Sequence, residues 1–276
     1  MAWHLPVTQG RTAGILGMAA LIGLSACAAD PVTPVSLPVS SGPAPSAGNH
    51  WQPTATMPWH IQYQGDMGTP EVPVHNLDGV GTSASQVEKL HAVGAHVVCY
   101  FNAGGSETFR DDYISFPDGV QGKPLDDWPG ETWLDVRELD VLLPIMAARM
   151  DECAEKGFDA VDPDNLDGYT TATGFPLTEA DALAYQRALI GMAHDRGLGI
   201  GLKNTMDLIP ELADEIDFAV NEQCQQYNEC DAYAPLIALD KPVFNVEYQG
   251  TCEGQPDGVS TVLADLPLDG PTTSCR

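Results

Sequence analysis

The chain has 276 residues, 43% hydrophobic and 18% charged, with 39 acidic side chains against 12 basic ones and a formal charge of -27. Phosphate backbones are held by clustered Lys and Arg, so 12 cations scattered along the chain exclude nucleic acid as the natural partner. The apolar content is enough to bury a core, which excludes disorder throughout, and the negative field attracts cations, a polycationic substrate among them.

Residues 1–27 read as an export signal. The apolar run Ile15 to Leu24 has the length of a signal-peptide core and is too short to span a bilayer. It ends in Leu24-Ser25-Ala26-Cys27, where a small-residue pair before Cys resembles a bacterial lipobox and makes Cys27 the expected lipidation site. An ordinary cleavage site beside a chance Cys is the alternative. Both predict an extracytoplasmic protein, lipid-anchored or secreted, that meets a membrane through its anchor only. Residues 28–50 are rich in Pro, Ser, Ala and Val without amphipathic period and read as a semi-extended spacer. Export makes the other six cysteines informative, because an even number in an oxidising compartment points to three disulfides among 15 connectivities. The preferred set is Cys99–Cys153, Cys224–Cys230 and Cys252–Cys275. No Cys-x-x-Cys spacing supports zinc.

From Trp51 to Arg276 the length suits one α/β barrel. Strands are expected at Trp59–Tyr63, Val74–Leu77, His96–Phe101, Phe158–Val161, Gly199–Lys203, Phe218–Val220 and Val243–Val246, with an eighth near Thr261–Leu266. Between them, Ser85–Val93 carries Val87, Leu90 and Val93 on one helical face. Pro144 fits the first turn of a helix continuing through Ile145, Met146, Arg149, Met150 and Cys153. Thr178 with Asp181 forms a capping box before Leu183 to Met192, and Gly94, Gly157 and Gly197 sit at helix C-termini. This alternation predicts a parallel sheet with helices outside it. Gly79-Val80-Gly81-Thr82-Ser83-Ala84 matches a dinucleotide fingerprint, but the acid due about 20 residues later is missing, so tight-turn glycines explain it better. A closed (β/α)8 barrel in one domain, residues 51–276, is therefore expected over an open sheet: polar side chains recur at nearly every strand end, and a barrel gathers those ends on one face.

The strand ends carry Asp78, Asp162 and Asp164, Lys203-Asn204, Glu222 and Glu247. Carboxylates fed to one face by different strands are what glycoside hydrolysis needs, one as nucleophile or base and one as proton donor. Turn chemistry is the competing explanation for Asp162-Pro163-Asp164-Asn165. Asp162, Asp164 and Asp167 do not follow the EF-hand order, since the third acid comes one place late. The seven histidines form no metal-ligand pair of the His-x-His or His-Glu-x-x-His type, and neither a P-loop nor a Gly-x-Ser-x-Gly elbow occurs, so neither metal nor cofactor is expected. Aromatics near the open face, Trp59, Tyr63, Tyr100, Trp133, Tyr169 and Tyr248, have the shape to stack on sugars.

Three blocks carry a family resemblance: Cys99-Tyr100-Phe101-Asn102-Ala103-Gly104, Trp133-Leu134-Asp135-Val136-Arg137, and Gly157 through Tyr169 with its Asp162-Pro163-Asp164-Asn165 core. With Leu202-Lys203-Asn204 and Val220-Asn221-Glu222-Gln223-Cys224 in the same order, the chain from about Trp51 to Tyr248 is similar to the endo-α-1,4-polygalactosaminidases, glycoside hydrolase family 114. The resemblance implies a (β/α)8 domain cleaving internal α-1,4 linkages in galactosamine-containing polysaccharide, with a catalytic pair from strands four and six. Carried onto this chain, Asp164 is the expected nucleophile, Asp162 its alternative, and Glu222 the acid/base of a retaining mechanism. Asp78, Asp162, Asn165, Lys203, Glu247 and Tyr248 are the expected substrate-binding residues, the acids among them toward ammonium groups. Strand two departs from the family pattern in His75-Asn76-Leu77-Asp78. That departure motivates the alternative of a non-catalytic carbohydrate-binding lipoprotein. A monomer is expected in either case.

Overall fold

The computed structural model describes residues 50–65 and 71–275. The expected export signal, lipidation at Cys27 and all but the last residue of the spacer lie outside the described residues. Among the described residues, no helix is long and apolar enough to cross a membrane.

In chain order the elements are β1 (Trp59–Gln62), β2 (Val74–Asp78), α1 (Ala84–Ala92), β3 (His96–Asn102), β4 (Gly105–Glu107), β5 (Gln121–Pro124), β6 (Glu131–Leu134), α2 (Leu139–Lys156) and β7 (Ala160–Asp164). They continue with α3 (Glu179–Asp195), β8 (Gly199–Lys203), α4 (Ile209–Leu212), β9 (Phe218–Glu222), α5 (Cys224–Tyr227), α6 (Ala234–Ala238), β10 (Val243–Glu247), β11 (Val259–Leu263) and β12 (Thr273–Ser274). The main sheet runs β1-β2-β3-β7-β8-β9-β10-β11-β12. Its first eight strands are parallel, and β12 is antiparallel on β11. The Trp59 indole N–H donates to the Ser260 carbonyl at 2.8 Å, joining the first and eighth strands of the barrel.

All eight expected barrel strands form, the last of them at 259–263, slightly upstream of its expected place. Val259 and Val262 are buried whereas Leu266 is 56% exposed, so burial rather than apolar content sets the boundary. The fourth runs on to Asp164, so Asp162-Pro163-Asp164 is strand and not turn. Pro163 is tolerated because pairing with β8 has already ended at Val161–Ile200, where a missing N–H breaks no bond on that side.

Side chains alternate across each strand. One set faces an inner core of Trp59, Ile61, Val74, Val98, Ala160, Phe218, Val220, Phe244, Val246 and Val262. The other packs on the helices with Leu142, Met146, Leu189, Ile190 and their neighbours. Continuing the inner set toward the C-terminal strand ends gives Tyr63, Asn76, Tyr100, Asp162, Asp164, Lys203, Glu222 and Tyr248. The inner column is thus apolar below and polar above.

Helix α2 corrects one expectation: it starts at Leu139, leaving Pro144 inside the helix rather than in its first turn. Leu142, Met146, Met150 and Cys153 form one buried stripe, and burial of Leu142 draws the start upstream at the cost of one backbone bond. Thr178 and Asp181 form the expected capping box on α3, and Gly157 closes α2 at φ 89°, a conformation that favours glycine. The disulfides are Cys99–Cys153, Cys224–Cys230 and Cys252–Cys275. Unexpected from sequence is a separate antiparallel sheet, order β4-β6-β5, inserted between β3 and α2.

Candidate active site

A groove of about 800 Å³ crosses the C-terminal strand ends, lined by Tyr63, Asp78, Tyr100, Asp164, Asn165, Lys203, Asn204, Glu222 and Tyr248 from the barrel. Its centre is one ammonium. Lys203 Nζ, on a side chain only 1% exposed, lies 3.3 Å from Asp164 Oδ1 and 3.7 Å from Glu222 Oε2. The two legs set an upper bound of roughly 7 Å between those oxygens, against about 5–5.5 Å for retaining and about 6.5–9.5 Å for inverting pairs. Burial alone would lower the Lys203 pKa, but Asp164, Glu222 and Asp162 outweigh it and raise it.

Each carboxylate has its own orienting donors. Asp164 accepts from the Tyr100 hydroxyl at 2.9 Å and from the Asn165 backbone N–H at 2.8 Å. Glu222 accepts from Asn204 Nδ2 at 3.0 Å and, on its other oxygen, from the Tyr248 hydroxyl. Tyr63 and Tyr100 stack with centroids 3.8 Å apart, and the Lys203 ammonium lies 5.3 Å from the Tyr100 ring centre. The residues directly after Asp164, Lys203 and Glu222 all take positive φ: Asn165 at 62°, Asn204 at 56° and Gln223 at 68°. Three consecutive barrel strands therefore end in the left-handed region, a conformation that non-glycine residues adopt mainly under local constraint. Gly104 is needed alongside, because a Cβ there would meet the Asn165 carbonyl at 1.6 Å.

The remaining expected site residues divide. Asn165, Lys203 and Tyr248 line the groove with the acid pair. Asp78 lines it too, but Arg110 takes both of its oxygens, at 2.5 and 3.1 Å. Asp162 is fully buried beneath the groove and offers a sugar no surface. Its Oδ2 accepts from Asn76 at 2.7 Å and Tyr63 at 3.3 Å, Oδ1 has no partner, and burial raises its pKa to about 6 against the opposing pull of Lys203. Glu247 is placed outside the groove by strand alternation. Phe244 and Val246 face the inner core, so Glu247 points outward, 2% exposed, and accepts from Gln225 N–H at 2.8 Å and Asn245 at 3.0 Å. Among the aromatics, Tyr63, Tyr100, Trp133 and Tyr248 line the groove and Trp59 is core. Tyr169 lines an adjoining recess of about 320 Å³ that shares Asp167, Asn204 and Glu222 with it.

Sequence reasoning missed the contribution of the inserted sheet, which supplies Phe109, Arg110, Asp126, Trp128 and Glu131 to the same groove. The Pro129-Gly130 turn between Lys123 and Thr132 was its one legible signal. Glu131 accepts from Asn102 at 3.0 Å, and burial, with Glu107 and Asp164 nearby, raises its pKa to about 7.

Geometry of this kind fits two-carboxylate hydrolysis. The profile of the glycoside-hydrolase family GH114 matches residues 40–276. The crystal structure of Aspergillus fumigatus Ega3 in complex with galactosamine is 35% identical, covers 83% of this chain and 100% of its own, and superposes with a TM-score of 0.76. The glycoside hydrolase domain of PelA from Pseudomonas aeruginosa, 13% identical over 78% of this chain and 97% of its own, has a TM-score of 0.60 and shares the fold. No curated protein sequence matches. With all of its described residues inside the matched region, the chain belongs to glycoside-hydrolase family GH114 and has the family's barrel.

Proposed function

We propose that this glycoside hydrolase acts within chains of α-1,4-linked, galactosamine-containing polysaccharide by a retaining double displacement, Asp164 being the nucleophile and Glu222 the acid/base. The observation that carries the reading is the single Lys203 ammonium within 3.3 and 3.7 Å of the two carboxylates, with both acids partly open to the groove. In the first step Asp164 forms a bond to the anomeric carbon as the glycosidic bond breaks and Glu222 gives its proton to the leaving oxygen. In the second, Glu222 takes a proton from water as that water displaces Asp164. Tyr100 and Asn165 N–H fix one acid, Asn204 and Tyr248 the other, and Lys203 offsets their mutual repulsion.

The charge of -27 and the groove's Asp126, Asp167 and Glu131 favour a polymer bearing free ammonium groups. Asp78 is committed to Arg110 and contributes to shape rather than to amine binding. The export signal, the lipobox-like Cys27 and the spacer read in the sequence support an enzyme on the outer side of a membrane.

The test is incubation of the full chain with partly deacetylated galactosaminogalactan. Wild type is expected to release soluble oligosaccharides, and Asp164→Asn and Glu222→Gln each to release them at least about 100-fold more slowly, the usual scale of acid–base contributions. Asp162→Asn separates the two candidate nucleophiles: full loss there with activity retained in Asp164→Asn reverses the assignment.

A further inference from the structure

The inserted sheet adds a wall to the groove that the barrel chemistry does not require. Phe109 and Trp128 are 62% and 47% exposed, and with Leu266, 56% exposed, they are the exposed large apolar side chains that line this groove. Isolated apolar residues on a surface need no explanation, but three converging on one groove beside the acid pair mark a contact surface.

The wall is also built to hold its shape. Thr108 N–H donates to the Gly130 carbonyl at 2.9 Å, tying the segment of Phe109 to the hairpin tip of Trp128. Within the tip, Leu125 N–H donates to Glu131 at 3.0 Å and Glu131 N–H to Trp128 at 3.2 Å. Gly130, at φ 93°, has no room for a Cβ, which would fall 2.8 Å from Thr108 Oγ1. The Arg110 guanidinium sits 5.5 Å from the Phe109 ring centre while its nitrogens hold Asp78 and Glu107. The backbone that carries the two aromatic side chains is thus tied in place at the groove, with Asp126 and Glu131 on the hairpin of Trp128.

We infer that Trp128 and Phe109 form a binding site for a sugar ring of the polymer away from the cleaved bond, with Asp126 and Glu131 as its acidic rim. The occupant is a unit of the same chain that crosses Asp164 and Glu222, because one continuous groove holds both sets of residues. Aromatic faces take the C–H side of a pyranose, and acceptors at the rim take its hydroxyl or ammonium donors. The site rests on the glycosidase reading above and deepens it: affinity should grow with chain length on the side of the insert.

The experiment uses α-1,4-linked galactosamine oligomers of graded length. In full-length protein carrying Glu222→Gln, calorimetric affinity is expected to rise with length. Adding Trp128→Ala should weaken the longest oligomers at least tenfold and leave galactosamine itself unchanged. Trp128→Phe should restore most of the loss, and Phe109→Ala should repeat it more weakly. In otherwise wild-type protein, Trp128→Ala should raise KM on polymer and leave kcat unchanged. Equal weakening of short and long ligands, or none at all, overturns the site. Failure of wild type to cleave any polymer, with Trp128-dependent binding intact, overturns the catalytic reading and leaves the binding site standing. Unchanged thermal melting of the Trp128 variants checks that the exposed tip carries no folding role.

Discussion

The two ends of the barrel solve opposite electrostatic problems. At the C-terminal end, Asp162, Asp164 and Glu222 share the Lys203 ammonium, so acceptors outnumber strong donors. At the N-terminal end, Asp217 alone receives His50 Nε2 at 2.9 Å, His194 Nε2 at 3.0 Å and Ile200 N–H at 2.9 Å. The two imidazoles stack at 4.1 Å, one on each carboxylate oxygen. Through His50 this cluster fastens the segment that leads into β1 to the barrel base. A carboxylate with three donors shared over both of its oxygens stabilises structure. Carboxylates competing for one cation remain free to exchange protons and meet a ligand.

The largest effect should come from removing the shared cation. Lys203→Met leaves the buried ends of three acids without their common partner, and breaking such a buried pair costs about 3–5 kcal/mol. Activity on polymer is expected to fall at least about 100-fold, the scale of losing one acid–base partner, with a lower melting temperature. A variant that keeps wild-type kcat would show that the upper end is not organised by Lys203.

The next effect is read at Asp162 through pH. Its folded pKa of about 6 lies above the ordinary value near 3.9, so the folded state binds this proton more tightly than the unfolded chain. The stabilisation is full below about pH 4 and is withdrawn as pH rises through about 6. Asp162→Asn stays neutral throughout. Measured by thermal melting from pH 4 to 7, the variant should gain on wild type by up to about 3 kcal/mol. Parallel curves would mean that Asp162 ionises at no cost and that its burial matters less than the Lys203 field.

Which parts of this arrangement were legible in the sequence follows from periodicity. Strands buried on both faces announce themselves by apolar runs bounded by glycine, so all eight barrel strands and the capping box at Thr178 could be read. The acid pair was legible too, because Asp164 and Glu222 each end a strand. Glu247 also ends a strand and yet points outward; only the register of Phe244 and Val246 separates the two cases, and register is a tertiary property. Pro163 hid the continuation of β7, since a proline normally argues against a central strand. The inserted sheet was the larger omission. Its strands are three to four residues long, and Gln121-Gly122-Lys123-Pro124 has no alternating pattern because it packs on neighbours rather than on a core. The base cluster left no signal either, for His50, His194 and Asp217 are far apart in sequence and meet only once the barrel closes.

The smallest expected effect falls at that base and concerns stability alone. Burial would raise the Asp217 pKa, but His194, the Ile200 N–H and His50 together hold it below the ordinary aspartate value. A depressed folded pKa means stabilisation present above the unfolded value near 3.9 and lost as pH falls through the folded one. Asp217→Asn replaces one acceptor oxygen by a donor facing an imidazole, a mismatch that costs about 1–3 kcal/mol. The variant should therefore melt below wild type at pH 7, and the gap should close as the pH is taken down below the range of ordinary aspartates. Its kcat and KM on polymer should match wild type, because Asp217 lies at the opposite strand ends from Asp164 and Glu222. A fall in kcat with an unchanged melting temperature would show that the two ends of the barrel are coupled.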